Sequence, residues 1–575
     1  MNSRMDAKVM SVTRTGRVQR IYARTPIVVV VLGQRIPLSQ LPMIVFSLSN
    51  TISFAAGESF YSPAYKKINY IIMRYILNNF YILRHDVKRS FILSHGEHVS
   101  APEHIAVNLN WRSMIHPAYA MMLTFFSKPI TIDDACKKIS TFFSVEEDVI
   151  KSFIRQLIET KIPMHTTYGG MTSGFPVNIL IEERQESFPR VSYTTEQFVF
   201  RELDYTSSRM FKSPISIVFM PNNNCYTNCT YCYADTKTKN CLMSFAEIES
   251  FVKDASKAGV RDILITGGDL FMYPNWEELL TLLKNEGYMP DLVSTKKPLS
   301  VEEINKFSKL SIRLQVSLDS VIDMTVVKIL GVAPSYAGKM KSTLLKIDKA
   351  EIRYQVATVL TNLNDSTEEL DALFYFLKQL NNIERWEIRV AFKSLYSRGD
   401  FNTIKCSRES ILSVEKWITN HKEQFPCEIL WSPDDDEKYK KTKGGSQDFE
   451  GSICSANMTN MVVLPDGCVT ICEQLYWNPD FIIGNVKNST IEEIWNSPKA
   501  ISIWKRERNT IRKESPCAKC KIFDKCFKAS NRCYANIMKA YGLENYDYPD
   551  PRCFWAPEFY TDISHGRKEY NDEKE

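Results

Sequence analysis

The segment IVFMPNNNCYTNCTYCYAD, residues 217–235, decides how the rest of the chain is read. An apolar, β-branched stretch predicts a strand over Ile215–Met220. It runs through Pro-Asn-Asn-Asn into Cys225, Cys229 and Cys232, spaced CxxxCxxC. Thiolates are the usual protein ligands of a [4Fe–4S] cluster. Three on one loop hold three irons and leave the fourth open to a small chelating ligand. That logic makes the site catalytic rather than purely electron-carrying. A zinc site would want a fourth ligand close by, and the loop holds no His.

Downstream, strand and helix alternate from residue 213 to residue 425. Strands are predicted at Ile215–Met220, Asp262–Thr266, Asp291–Thr295, Ile312–Leu318, Tyr354–Leu360 and Trp386–Phe392. Ser244 with Glu247, Ser300 with Glu303 and Ser366 with Glu369 read as capping boxes that start the intervening helices. Six such units imply parallel strands with right-handed crossovers. The predicted fold class is α/β, a partial (βα)6 barrel whose chemistry sits at the C-terminal strand ends.

A CxxxCxxC loop after the first strand of a partial barrel, with Tyr231 and Tyr233 around the last Cys, resembles the radical S-adenosylmethionine (SAM) superfamily. The resemblance implies that the open iron binds the amino and carboxylate groups of SAM. The reduced cluster would then split SAM to a 5′-deoxyadenosyl radical that takes a substrate hydrogen. It also implies cofactor contacts at successive strand ends. Gly267, Gly268 and Asp269 stand where the family usually has GGE. Ser294 opens Ser294-Thr295-Lys296-Lys297, where Thr-Asn is common. Ser317 and Asp319 are similar to a family SLDG, with Ser320 replacing Gly, and Arg398 lies in Ser397-Arg398-Gly399, similar to GRG. No Asp, Glu or Lys stands out as a catalytic base.

Of 15 Cys, eight fall between Cys454 and Cys553. Cys454 precedes a predicted strand, Met461–Leu464, then the turn Pro465-Asp466-Gly467, then Cys472. Cys517, Cys520 and Cys526 form CxxC-x5-C, followed by Cys533 and Cys553. The block resembles the SPASM domain, which normally holds two auxiliary [4Fe–4S] clusters. The resemblance implies Cys454, Cys472 and Cys533 for one cluster and Cys517, Cys520, Cys526 and Cys553 for the other. Ser530 stands where the family has its next Cys, and Cys533 lies three residues beyond. Cys468 is either a fourth ligand of the first cluster or a plain hairpin residue. A zinc ribbon is the alternative for the block. Cys136, Cys241, Cys406 and Cys427 are isolated and read as ordinary thiols.

Before the barrel, strands are followed by three helices: Pro117–Phe126, one starting after Thr131 with Asp134 as capping partner, and one opened by a Ser144–Glu147 capping box. In the third, Ile150, Phe153, Ile154, Leu157 and Ile158 recur at helical spacing, and Pro163 stops it. The predicted organisation is a poorly ordered extension over 1–72, a winged-helix-like unit over 73–190, the barrel over 205–430, a SPASM domain over 450–560 and a disordered tail over 561–575. The winged-helix-like unit resembles the precursor-recognition element of peptide maturases. The resemblance therefore implies a ribosomally made precursor peptide as substrate, a thioether or carbon–carbon cross-link as product, and a ferredoxin or flavodoxin as electron donor. A sulfatase-maturase-like enzyme oxidising Cys or Ser, and a non-enzymatic metal scaffold, are the rivals.

Bulk composition agrees. Charged residues make up 24% and the net charge is +5 over 575 residues. That is too weak overall for a nucleic-acid binder. The early apolar runs, Ile27–Leu32 and Leu41–Phe54, fall short of the ~20 residues of a membrane span. Clustered Cys without a trusted signal peptide point to metal in a reducing cytoplasm.

Overall fold

The computed structural model describes residues 73–95, 105–168, 171–183, 192–238, 241–288, 290, 292–397, 399–433, 454–529 and 532–560, together with the backbone of four short strands before residue 38. Those four form two antiparallel hairpins, Val9–Val12 with Val18–Ile21 and Val28–Val31 with Gln34–Pro37. The rest of the predicted extension, the tail after residue 560 and most of the loop between the barrel and the Cys-rich block lie outside the described residues. The chain divides into two compact units that part between Ser207 and Ser208.

The first unit contains β1 (Tyr75–Leu77), β2 (Tyr81–His85), β3 (Ser90–Ser94) and β4 (Arg112–Ile115). Three helices follow, α1 (Pro117–Thr124), α2 (Ile132–Phe143) and α3 (Glu147–Glu159), then β5 (Met164–Tyr168), β6 (Met171–Phe175) and β7 (Leu180–Glu182). Strands β2–β3–β4 form an antiparallel sheet, β5 and β6 a hairpin, and β7 pairs antiparallel with β1. The predicted apolar stripe of α3 is its inner face: Ile150, Phe153, Ile154 and Leu157 are all buried. Phe153 stacks on Tyr119 of α1 at 5.6 Å between ring centres, and Phe175 meets both rings edge-on.

Helix α2 starts as predicted, with the Thr131 hydroxyl accepting the Asp134 N–H at 3.1 Å. The start of α3 is a correction. Ser144 does not cap it: Ser144 closes α2 in the left-handed conformation at φ 53°. The N-cap of α3 is Glu146, which makes no side-chain capping bond. A turn this tight spends the Ser backbone on ending one helix, so its hydroxyl cannot start the next.

The second unit is built on parallel strands. They are β8 (Ser216–Phe219), β9 (Asp262–Ile265), β10 (Leu292–Thr295), β11 (Arg313–Ser317), β12 (Tyr354–Leu360), β13 (Ile383–Val390) and β14 (Glu428–Ser432). Between them lie α4 (Phe245–Ala258), α5 (Trp276–Asn285), α6 (Val301–Ser308), α7 (Asp323–Leu330), α8 (Tyr336–Lys349), α9 (Thr367–Leu377) and α10 (Arg408–His421). All six predicted strands are present, and β14 adds a seventh. Strands β10 to β14 form one sheet in sequence order; β8 and β9 belong to another, so the strand order breaks between β9 and β10.

The sheet of β8 and β9 continues with strands from the Cys-rich block: β15 (Asn460–Val463), β16 (Cys468–Thr470) and β17 (Ile482–Asn485). Strand β15 runs parallel to β8, from Ser216 opposite Asn460 to Phe219 opposite Val463, and β16 and β17 fold back antiparallel. A strand paired on both edges and covered by neighbouring layers reads as a largely apolar run. Ile217, Phe219, Met461 and Val463 are fully buried.

The boxes Ser244–Glu247 and Ser300–Glu303 are reciprocal, as predicted. Ser366 receives the Glu369 N–H at 3.4 Å, but the Glu369 carboxylate does not return to the cap. It is buried and accepts from the hydroxyls of Ser320 and Thr325 instead. Among the described residues no helix is long and apolar enough to cross a membrane.

Candidate functional site

The cysteine loop leaves the C-terminal end of β8 and is held on two sides. The N–H groups of Asn228 and Thr230 donate to the carbonyls of Leu330 and Ile329 at 2.7 and 2.8 Å. These are end carbonyls of α7, which have no partner within the helix. On the other side, the N–H groups of Gly268 and Asp269 donate to the carbonyls of Asn222 and Asn224 at 2.9 and 2.7 Å. A Cβ on Gly268 would stand 2.2 Å from the Asn224 carbonyl oxygen, and one on Gly267, at φ +109°, 2.6 Å from that of Asn222. The two glycines therefore let the cysteine loop itself approach the end of β9.

Within that frame the three thiols share one field. Burial pushes Cys225 up to about 12, and Cys232, Asp269 and Cys229 add to the rise. Cys229 is raised by burial, partly relieved by the nearby Lys296 cation. Cys225 is the most exposed of the three, Cys232 is half-buried and Cys229 is buried. A bound metal deprotonates coordinating thiols outright, so neighbouring thiols that oppose one another's ionisation are a fitting donor set for an iron cluster. Among the described residues no three His, Cys, Asp or Glu converge tightly enough for a single ion. A cluster's thiolates sit on separate irons and do not need to converge.

Asp269 uses its whole carboxylate within the protein. It accepts from the Thr295 hydroxyl at 2.8 Å and from the N–H groups of Phe271, Lys296 and Lys297 at 3.0, 2.8 and 3.0 Å. It thereby bridges the end of β9 to the end of β10, where the strand order breaks. Only its backbone is left to face a ligand.

Asp319, also buried, accepts from the Val359 N–H at 2.9 Å, the Lys296 ammonium at 2.8 Å and the Tyr231 hydroxyl. The Lys296 ammonium lies 5.5 Å from the centre of the Tyr231 ring. Burial lowers the Lys296 pKa, but Asp319 and the Cys229 and Cys225 thiols outweigh it and leave the pKa raised. Tyr336, stacked on Tyr226, donates to the Lys296 carbonyl at 2.7 Å. Lys296 and Tyr336 are site residues that sequence reasoning missed. The only available signal was the position of Lys296 at a strand end.

The remaining predicted contacts are placed as follows. Ser294 and Ser317 are half-buried on β10 and β11, opposite Gln315 and Ala357 respectively. Tyr233 stacks on Phe392, and its carbonyl accepts from Ser394. Arg398 lies outside the described residues.

The C-terminal cysteines separate into two groups. Cys517, Cys520, Cys526 and Cys553 line one cavity together with Arg532 and Trp555. The Arg532 guanidinium donates to the Cys526 sulfur at 3.1 Å. Burial raises Cys472, and Cys533 and Cys454 raise it further; Cys533 in turn feels Cys454. These three therefore lie together. Cys468 answers instead to Asp466 and Asn485, and its sulfur accepts from Asn485 at 3.5 Å. Cys136 and Cys406 are buried singly.

Residues 219–374 match the Radical SAM superfamily and residues 454–521 match SPASM, an iron–sulfur cluster-binding domain. A strand-end CxxxCxxC loop on a parallel barrel, with this domain behind it, defines the class: the chain is a radical SAM enzyme carrying a SPASM domain. It is related to peptide maturases. It is 23% identical over 357 residues to the antilisterial bacteriocin subtilosin biosynthesis protein AlbA of Bacillus subtilis (strain 168), covering 61% of this chain and 73% of that protein. It is 20% identical over 328 residues to the sporulation killing factor maturation protein SkfB of the same strain, covering 56% and 75%. The fold resembles that of Streptococcus suis SuiB bound to precursor peptide SuiA, with TM-score 0.57 at 14% identity over 84% of this chain and 100% of that one.

Proposed function

We propose that this enzyme modifies a ribosomally synthesised precursor peptide, abstracting hydrogen and installing a thioether or carbon–carbon cross-link. The observation that carries the reading is a strand edge in the first unit. Among the described residues, strand β7 is paired on one edge only, by β1. Beside it lies a cavity of about 610 Å³ lined by Tyr75, Ile158, Glu159, Leu180, Ile181 and Glu182, among others. An extended leader segment can add there as a strand, with its side chains alternating into the cavity. Residues 73–190 are thus read as a winged-helix-like recognition element, three helices followed by the β5–β6 wing. Docking the leader raises the effective concentration of the core residues at the barrel mouth.

When bound, the [4Fe–4S] cluster and SAM supply a radical able to abstract hydrogen. Cys225, Cys229 and Cys232 would ligate that cluster. Gly267 and Gly268 hold their loop in place. Tyr231 and Lys296 hold Asp319 and so fix the strand ends around the mouth; Ser294, Ser317 and Arg398 are read as further SAM contacts. Two auxiliary [4Fe–4S] clusters are assigned, one to Cys454, Cys472 and Cys533 and one to Cys517, Cys520, Cys526 and Cys553. The surroundings of Cys468 favour the hairpin reading for that residue. The cytoplasm, with a ferredoxin or flavodoxin as electron donor, is the compartment this chemistry requires.

The test is anaerobic incubation of reconstituted enzyme with SAM, reductant and a short Cys- or aromatic-rich peptide encoded beside it. The expected result is a peptide lighter by a pair of hydrogens, with the change lost when the leader is removed. An unchanged peptide, alongside oxidation of a sulfatase-derived Cys or Ser peptide, would establish the sulfatase-maturase reading in its place.

A further inference from the structure

Positive charge is concentrated where the second auxiliary set of cysteines lies. Between Lys499 and Lys528 the chain carries ten Lys or Arg against three Asp or Glu. That is one basic residue in three, although the whole chain nets only +5. The basic residues interleave with the ligands: Lys519 lies between Cys517 and Cys520, Lys521 follows Cys520, and Lys525 precedes Cys526. Lys505, Lys513, Lys519 and Lys521 are exposed. Arg508 fixes the same loop from outside, donating to the carbonyls of Ala518 and Cys520 at 3.3 and 2.8 Å. The cavity that gathers the four cysteines opens beside Trp555, which is 52% exposed, and Cys520 is itself only partly covered.

We infer that this basic surface is the docking site for a small acidic electron-carrier protein, an iron–sulfur or flavin carrier. Arg508 and Arg512 face Asp524 and Asp547 at 3.6 and 2.5 Å and help hold the fold, whereas the exposed Lys513, Lys519 and Lys521 repel one another. Their use is to draw in a partner of opposite sign and orient it, an effect that speeds association by about 10–1,000-fold and fades with salt. Here the orientation delivers the partner to thiolates placed near the surface. In the exchange the reduced carrier loses one electron and the cluster side gains one; no bond forms or breaks and no proton moves. The inference rests on reading Cys517, Cys520, Cys526 and Cys553 as one cluster's ligands. Its test uses no peptide, so it stands or falls apart from the peptide assignment.

The experiment measures binding of an acidic flavodoxin to full-length, cluster-loaded enzyme by surface plasmon resonance across a salt series. Wild type should bind with steep salt dependence. In K513E/K519E/K521E the affinity should fall about tenfold or more and the salt dependence should flatten. SAM cleavage driven by dithionite, which needs no docking surface, should persist in that variant while cleavage driven by flavodoxin slows. If charge reversal impairs iron loading, K513Q/K519Q/K521Q takes its place, with a smaller loss expected in the same direction. Reversals at Lys339, Lys346 and Lys349 on α8 should leave binding intact. Unchanged flavodoxin affinity in the SPASM variants, an equal loss in the α8 control, or a loss confined to a poly(U) RNA probe would each overturn the inference.

Discussion

Lys296 shows how one side chain holds the mouth of the barrel together. Its ammonium neutralises Asp319, which is fully buried and already accepts from the Val359 N–H and the Tyr231 hydroxyl. Removing one partner of a buried pair leaves the other charge stranded, at a cost of about 3–5 kcal/mol. K296M should therefore lower the melting temperature by far more than Y231F, which removes one neutral donor; calorimetry of the two variants checks the ranking. Gly268→Ala acts on the loop instead. Its Cβ would stand 2.2 Å from the Asn224 carbonyl oxygen, and such overpacking costs about 1–3 kcal/mol. The variant should lose iron from the cysteine loop while keeping iron in the SPASM domain, as read by iron analysis and EPR spectroscopy. The three cysteines were legible in the sequence because their spacing is local. The Lys296–Asp319 pair was not, because its partners are 23 residues apart and meet only once two strand ends are side by side.

At the scale of single elements, helix starts were legible where the backbone was free to take the capping conformation. Ser300 accepts the Glu303 N–H at 3.2 Å while Glu303 returns to the Ser300 N–H at 2.9 Å. Ser300→Ala should cost about 0.5–2 kcal/mol. Glu303 is partly desolvated, yet its bonds to Lys297 and Ser300 hold its carboxyl below the usual glutamate value. A depressed carboxylate stabilises the fold at pH values above its unfolded pKa, and that contribution is lost as pH falls through the folded pKa. The melting difference between wild type and E303Q should therefore be full at pH 7 and shrink below about pH 4.3. Ser144 and Glu369 show where the local signal failed. Each belongs to a sequence that fits the capping pattern, but Ser144 is committed to ending α2, and the Glu369 carboxylate is drawn inward by Ser320 and Thr325.

For the second unit as a whole, the pairing that matters most could not be seen in the sequence. The β8–β15 contact joins residues separated by the entire barrel, and no local pattern announces it. Six of the seven barrel strands were legible from alternation, whereas the break between β9 and β10 and its closure by Asp269 were not. Because β15 occupies one edge of β8, the SPASM segment completes the barrel sheet rather than merely following it. Truncation after residue 433 would expose an apolar strand edge, a template for association between copies. The truncated chain should be recovered as soluble aggregate or inclusion bodies rather than as monomer, a difference visible by size-exclusion chromatography.

The central claim is that Cys225, Cys229 and Cys232 hold the cluster that cleaves SAM. Its most direct test is 5′-deoxyadenosine release by anaerobically reconstituted enzyme under dithionite, set beside the C225A/C229A/C232A variant. Release by wild type, and none from a variant that still carries its SPASM iron, is the predicted result. Continued release from that variant would contradict the account.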